Sequence, residues 1–208
     1  MIAVVDYGFG NVRSLWNALD FLGAEAEITR NPEDFDTADR IVLPGVGAFG
    51  DAIAAIRELG LEKPLTRHAL ETRKPMFGIC LGMQLFANHS AEHGGHDGLG
   101  WIDAHVDRIC PKDRDVKVPQ VGWNTLQVKG AEWLFSGLPA QQNDVYFVHS
   151  YHMLCNDSSD LAATTNHGGL VTAAISRGNL TATQFHPEKS QDNGLRILQN
   201  WLEHDFDA

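Results

Sequence analysis

Cys80 stands in the stretch Pro75-Met76-Phe77-Gly78-Ile79-Cys80-Leu81-Gly82-Met83-Gln84, with a glycine on each side at a distance of one intervening residue. Glycine-x-nucleophile-x-glycine is the spacing that puts a nucleophile on a sharp strand-to-helix turn, because the small neighbours let the backbone fold tightly. The apolar run before Cys80 reads as a buried strand, and Met83, Leu85 and Phe86 read as the apolar face of a following helix. Positive partial charge at that helix start favours thiolate over thiol, and the N–H of Leu81 would be aimed at a developing oxyanion. Taken alone, the same residues also fit a small buried cysteine with no chemistry. A second segment, Gln184-Phe185-His186-Pro187-Glu188-Lys189-Ser190, supplies what the cysteine lacks. Pro187 biases His186 toward extended geometry, where residues two apart share a side, so His186 and Glu188 can offer imidazole and carboxylate to one cleft. Such a pair orients and charges a general base: Glu188 fixes the tautomer and His186 exchanges a proton with Cys80.

Elements able to position these groups follow from the hydrophobic pattern. Ile2 to Val5 is a continuous apolar run suited to a parallel sheet covered on both faces. Asn11 is a candidate N-cap for a helix carrying Val12, Leu15, Trp16, Leu19 and Leu22 on one face, with Gly23 stopping it. The pair Gly8 and Gly10 does not extend to a dinucleotide fingerprint, since the third glycine would fall at Arg13. Further strands are expected over 24–29 and 40–43, with a loop at Asn31-Pro32-Glu33-Asp34 between them. The third strand runs into Pro44-Gly45-Val46-Gly47-Ala48-Phe49-Gly50, whose glycines let backbone N–H groups face a cleft and could add an oxyanion donor. Helices are expected around Ala52, Ile53, Ile56 and Leu59 and over 64–73. From Gly98 onward the pattern turns strand-like, over 101–109, 116–128, 145–154, 170–177 and 180–185, before a closing helix around Leu195, Ile197, Leu198 and Trp201. The expected fold is therefore α/β, a central, mainly parallel twisted sheet flanked by helices and extended by antiparallel strands in the second half.

The 208 residues suit one domain over 1–208, and the formal charge of −11 without a basic cluster disfavours binding to a phosphate backbone. Three widely spaced cysteines, Cys80, Cys110 and Cys155, fit a reducing cytoplasm better than a disulfide framework. The start lacks a basic leader and reaches Asp6 early, so neither a signal peptide nor a membrane span is expected. The segment His89-Ser90-Ala91-Glu92-His93-Gly94-Gly95-His96 is rich in possible metal ligands, but its glycines and lack of helical register read as a mobile, solvated loop. No metal or other cofactor is expected.

The Cys80 elbow with the distant His186-Pro187-Glu188 resembles the class I, or triad, glutamine amidotransferases. Within that group the segments Val5-Asp6-Tyr7-Gly8-Phe9-Gly10-Asn11, Leu43-Pro44-Gly45-Val46-Gly47-Ala48-Phe49, Gly98-Leu99-Gly100-Trp101, Val118-Pro119-Gln120-Val121-Gly122-Trp123-Asn124 and Tyr146-Phe147-Val148-His149-Ser150-Tyr151 resemble the glutaminase subunits of imidazole glycerol phosphate synthase. The likeness covers essentially the whole chain. It implies hydrolysis of L-glutamine through a Cys80 thioester, with His186 and Glu188 as partners. It implies oxyanion donors from Leu81 and from Val46 or Gly47, and a glutamine pocket formed by Gly47, Gln84, Ser150 and Tyr151. It also implies a heterodimer with a separate (β/α)8-barrel cyclase subunit that consumes the ammonia, with Tyr7, Asn11, Trp123 and Lys189 as interface candidates. The remaining alternatives are a glutaminase for another acceptor, as in anthranilate, aminodeoxychorismate, purine or pyridoxal phosphate synthesis, a non-catalytic binding module, or a cysteine peptidase.

Overall fold

The computed structural model describes residues 1–113 and 115–206. Strand β1 (Ile2–Val5) pairs in parallel with β2 (Ala26–Thr29) on one side and β3 (Arg40–Gly45) on the other. Strand β4 (Met76–Cys80) pairs in parallel with β3, and helices α1 (Val12–Phe21), α2 (Pro32–Thr37), α3 (Phe49–Glu58) and α4 (Glu62–Thr66) fill the connections. Alternate residues of β1 go to different cores: Ala3 and Val5 pack with Phe49, Ile53 and Met83, whereas Ile2 and Val4 pack with Leu15, Leu198 and Trp201. That alternation explains why the strand reads as an unbroken apolar run, since neither face meets water.

Beyond β4 comes the one-turn helix α5 (Leu81–Gln84), then β5 (His89–Ser90), β6 (His96–Asp97) and β7 (Ala104–Arg108). Next are β8 (Gln120–Thr125), β9 (Gln127–Val128), β10 (Asp144–His149) and β11 (Tyr151–Cys155). The chain closes through β12 (Leu161–Asn166), β13 (Leu170–Arg177), β14 (Leu180–Thr183) and helix α6 (Gln191–Glu203). The main sheet has the order β2-β1-β3-β4-β14-β13-β12-β9, parallel as far as β14 and antiparallel from there outward. Because β14 pairs with β4, the ends of these two distant segments lie side by side. The β8–β10 pair and the sheet β11-β7-β5-β6 are separate.

Several elements depart from the pattern reading. The segment after Asn31 is helical: the Asn31 side chain accepts from the Glu33 N–H, and Pro32 stands where a missing N–H costs nothing. Asn11 begins α1 but makes no side-chain cap hydrogen bond. The run over 145–154 breaks at Ser150 into two strands of different sheets, and the run over 116–128 becomes a strand only at Gln120, after a cis Val118–Pro119 bond. Leu59 is the C-cap residue of α3 and exposed, not part of its apolar face. The histidine-rich stretch is not an open loop: β5 and β6 pair, joined through a 3-10 turn at Glu92–Gly94.

Candidate active site

Cys80 occupies φ +54°, ψ −108°, a backbone region that costs a non-glycine residue strain, at the junction of β4 and α5. The glycines around it permit backbone approaches that a side chain would block. A Cβ on Gly82 would overlap the carbonyl oxygen of Leu43 in β3, and one on Gly45 would lie 2.5 Å from the Tyr7 hydroxyl and 2.8 Å from the Gly82 nitrogen. The elbow is thus wedged against β3. Helix α5 is only one turn long, so its dipole is a smaller support for a thiolate than the sequence pattern suggested.

His186 follows β14 in extended geometry, but Pro187–Lys189 form a 3-10 turn, and it is this turn that swings Glu188 back to the imidazole. His186 Nδ1 donates to Glu188 Oε1 at 2.8 Å, with both side chains buried. The backbone is pinned as well: His186 N–H donates to the Tyr146 carbonyl at 3.0 Å, and the Ser190 hydroxyl donates to the His186 carbonyl at 2.6 Å. Burial acts against the imidazolium, but contact with Cys80 and then with Glu188 outweighs it, raising the His186 pKa to about 9. Nε2 is buried and makes no hydrogen bond of full geometry, although Cys80 is the group electrostatically coupled to the ring. The arrangement can stabilise a thiolate and hand a proton to a leaving group.

Cys80, Leu81 and His186 line a cavity of about 620 Å³, together with Val46, Gly47, Gln84, Ser150 and Tyr151. The structure therefore brings together every pocket residue expected from the motifs, but with two changes of role. The Val46 N–H donates to the Phe9 carbonyl at 2.7 Å, so it is already committed and not available to an oxyanion. Gln84 has committed its amide nitrogen to the Tyr151 carbonyl (2.9 Å) and to Gln184 Oε1 (3.0 Å), which leaves only its oxygen for a ligand.

Glu92, His93, Arg108 and His149 also line the cavity and were not foreseen. Glu92 and His93 lie in the stretch read only for metal ligands; there, Glu92 Oε2 accepts from the Phe49 N–H at 2.7 Å. Among the described residues, no group of three or more His, Cys, Asp or Glu side chains could hold a metal ion. His149 Nδ1 donates to the Tyr151 carbonyl at 2.7 Å, and burial lowers its pKa to about 4. Its Nε2, an acceptor in the neutral ring, faces the Gln120 amide at 3.1 Å. Turning that amide by 180° would give a partner to the Gln120 nitrogen, which is otherwise buried without one.

Of the interface candidates, Asn11, Trp123 and Lys189 are exposed. Tyr7 is not: it is 3% accessible, packs in the core beside Gly45, and has a buried hydroxyl with no hydrogen-bond partner. Burial, and secondarily Cys80, push its pKa well above that of an ordinary phenol.

A family model described as glutamine amidotransferase class-I matches residues 3–204. The chain belongs to the class I glutamine amidotransferases. This amidotransferase is 43% identical over 206 residues to imidazole glycerol phosphate synthase subunit HisH 2 of Nitrobacter winogradskyi, covering 97% of each chain. It is 45% identical over 206 residues to the HisH subunit of Zymomonas mobilis, covering 97% of this chain and 95% of that one. Its fold matches a chain in the structure of PurLQS from Thermotoga maritima with a TM-score of 0.73 at 20% identity, over 97% of this chain and 96% of the other. The structural neighbour supports the fold, and the HisH relatives extend the likeness along nearly the whole amidotransferase. No helix among the described residues is long and apolar enough to cross a membrane.

Proposed function

We propose that this chain is the glutaminase subunit of a cytoplasmic imidazole glycerol phosphate synthase, hydrolysing L-glutamine to L-glutamate and ammonia for use by a cyclase partner. The observation that carries the chemistry is the strained Cys80 elbow in one cavity with a buried imidazole held by a carboxylate. Cys80 Sγ attacks the side-chain amide carbon of glutamine, and the C=O becomes an oxyanion. His186 delivers a proton from Nε2 to the amide nitrogen, the C–N bond breaks, and ammonia leaves a γ-glutamyl thioester. Water, losing a proton to His186, then attacks the thioester; glutamate departs and the sulfur is restored. Glu188 holds the Nδ1–H tautomer and balances the imidazolium throughout.

The oxyanion takes one hydrogen bond from the Leu81 N–H. The second comes from the 44–47 loop, either from Val46, which must first release the Phe9 carbonyl, or from Gly47. Gly47, the Gln84 oxygen, Ser150 and Tyr151 hold the substrate, while Glu92 and Arg108 supply an anion and a cation for its ammonium and carboxylate groups. Ammonia released into water is protonated and lost to synthesis, so delivery requires a sealed partner. A (β/α)8-barrel cyclase docked over the exposed Trp123, with Val121 and Val148 beside it on the β8–β10 pair, and over Asn11 and Lys189, satisfies that requirement.

The test is glutamate release from glutamine by the purified chain, alone and with a histidine-pathway cyclase subunit and its nucleotide ligand, beside a Cys80→Ala control. Stimulation that vanishes in the control is the expected result. Activity indifferent to the cyclase would move the chain to another acceptor; no activity under any condition would make it a binding module.

A further inference from the structure

Gln184 is fully buried, with 0% accessibility, just after β14 and two residues ahead of His186. A buried amide must find partners for both its ends or cost free energy. Its Oε1 accepts from Gln84 Nε2 at 3.0 Å, and its Nε2 lies 3.6 Å from Cys80 Sγ, a hydrogen-bond distance for a nitrogen donor to sulfur. The direction of this amide is forced. The Tyr151 carbonyl can only accept, so it fixes the Gln84 nitrogen at 2.9 Å; the other Gln84 N–H then requires an oxygen at Gln184, and the Gln184 nitrogen is left facing the sulfur. The His149 Nδ1–H on the same Tyr151 carbonyl anchors the far end of the chain.

We propose that Gln184 is a positioning residue for the nucleophile, its amide N–H donating to the Cys80 sulfur and holding it as an anion in the orientation that faces the pocket. The proposal rests on the reading of Cys80 as the nucleophile. With α5 reduced to one turn, a second fixed dipole at the sulfur supplements the imidazolium of His186. An apolar side chain of similar size would fill the same volume but strand a Gln84 N–H and leave the sulfur one donor short. A carboxylate would keep the acceptor for Gln84 and set a negative charge against the thiolate. Glutamine is the side chain that serves both neighbours.

The experiment compares the full-length chain with its Gln184→Leu and Gln184→Glu variants, using the pH dependence of Cys80 alkylation by iodoacetamide. A Cys80→Ala chain supplies the background from Cys110 and Cys155. The other ionisable groups around the sulfur are unchanged in every variant: His186 and Glu188 from the turn after β14, Tyr7 from the loop after β1, and Glu92, His93, Arg108 and His149 on the cavity wall. In Gln184→Leu the midpoint of the alkylation profile should move up by about one pH unit, with the rate on the acid side of the midpoint falling about tenfold. Gln184→Glu should move the midpoint further in the same direction, and in both variants kcat should fall more than KM rises. Thermal unfolding is followed alongside; if the leucine variant is unfolded, the glutamate variant carries the test. Unchanged midpoints in the folded variants, even with reduced turnover, would overturn the proposal and leave Gln184 as a support for Gln84 alone. Cys80 alkylating no faster than the exposed Cys110 in the unsubstituted chain would overturn the nucleophile reading and this proposal together, an outcome visible without any Gln184 variant.

Discussion

His186 and His149 belong to two walls of the same cavity, the first just beyond the end of β14 in the main sheet and the second on the β8–β10 pair, and both are buried. Burial alone would discharge both rings. His149 meets only neutral partners, the Tyr151 carbonyl and the Gln120 amide, and its pKa falls to about 4. His186 meets the Glu188 carboxylate at 2.8 Å and the Cys80 sulfur, and its pKa climbs to about 9. Near neutral pH His186 is therefore an imidazolium next to the sulfur, and His149 a neutral imidazole that orients a backbone carbonyl. Partners, not depth, decide which histidine can move a proton.

The largest expected effect follows directly. His186→Asn should lower kcat for glutamate release by about 1,000-fold, since it removes the proton donor and the cation beside the sulfur. Stability against urea, followed across pH, sharpens the contrast. A raised folded-state pKa means that the His186 contribution is fully present below about pH 6.5 and is lost as pH rises through about 9. For His149 the folded-state pKa is depressed, so its contribution is present above about pH 6.5 and is lost as pH falls through about 4. Each limb is worth on the order of 3 kcal/mol. The His186→Asn variant should flatten the alkaline limb and His149→Asn the acid limb; the same limb flattened by both would break the distinction. Glu188→Gln comes next, with a loss of about 100-fold in kcat, because a neutral amide can still orient the ring but no longer stabilises its cation.

The parts of the site legible in the sequence are those written in local spacing. Glycines one residue to either side of Cys80, and a proline between His186 and Glu188, constrain the backbone wherever the segments end up. The β4–β14 pairing that joins them is non-local and not legible: Leu180-Thr181-Ala182-Thr183 alternates apolar and polar residues as the antiparallel strands were expected to, yet it lies parallel beside β4. Glu92 and His149 were not legible as pocket residues because their places depend on separate small sheets whose pairing leaves no periodic mark. Tyr7 was misplaced for a related reason: a motif identifies the loop but not the direction of a side chain, and the absence of Cβ at Gly45 opens the core space that the ring occupies. Strand β12 was overlooked because Leu161-Ala162-Ala163-Thr164-Thr165-Asn166 is buried along most of its length, so it shows no alternation, and its side chains are small. The break at Ser150 is equally invisible in composition, since both flanking strands are rich in aromatic and aliphatic residues.

The smallest effect tests the neutral member of the pair. Asparagine at position 149 is too short to replace both contacts of the imidazole, so the Tyr151 carbonyl loses its 2.7 Å donor while the Gln84 amide remains on it. One of two hydrogen bonds on a backbone acceptor is worth about 1 kcal/mol, and the strap that carries Ser150 and Tyr151 should loosen without changing any charge at the sulfur. His149→Asn is therefore expected to reduce kcat/KM by about fivefold, mainly through KM, with the pH profile of kcat unmoved. A loss as deep as that of His186→Asn, or a shifted pH profile, would show that His149 takes part in proton transfer. A loss confined to KM would place the division between the two walls where the hydrogen bonds put it, with chemistry at the end of the main sheet and substrate orientation on the side of the β8–β10 pair.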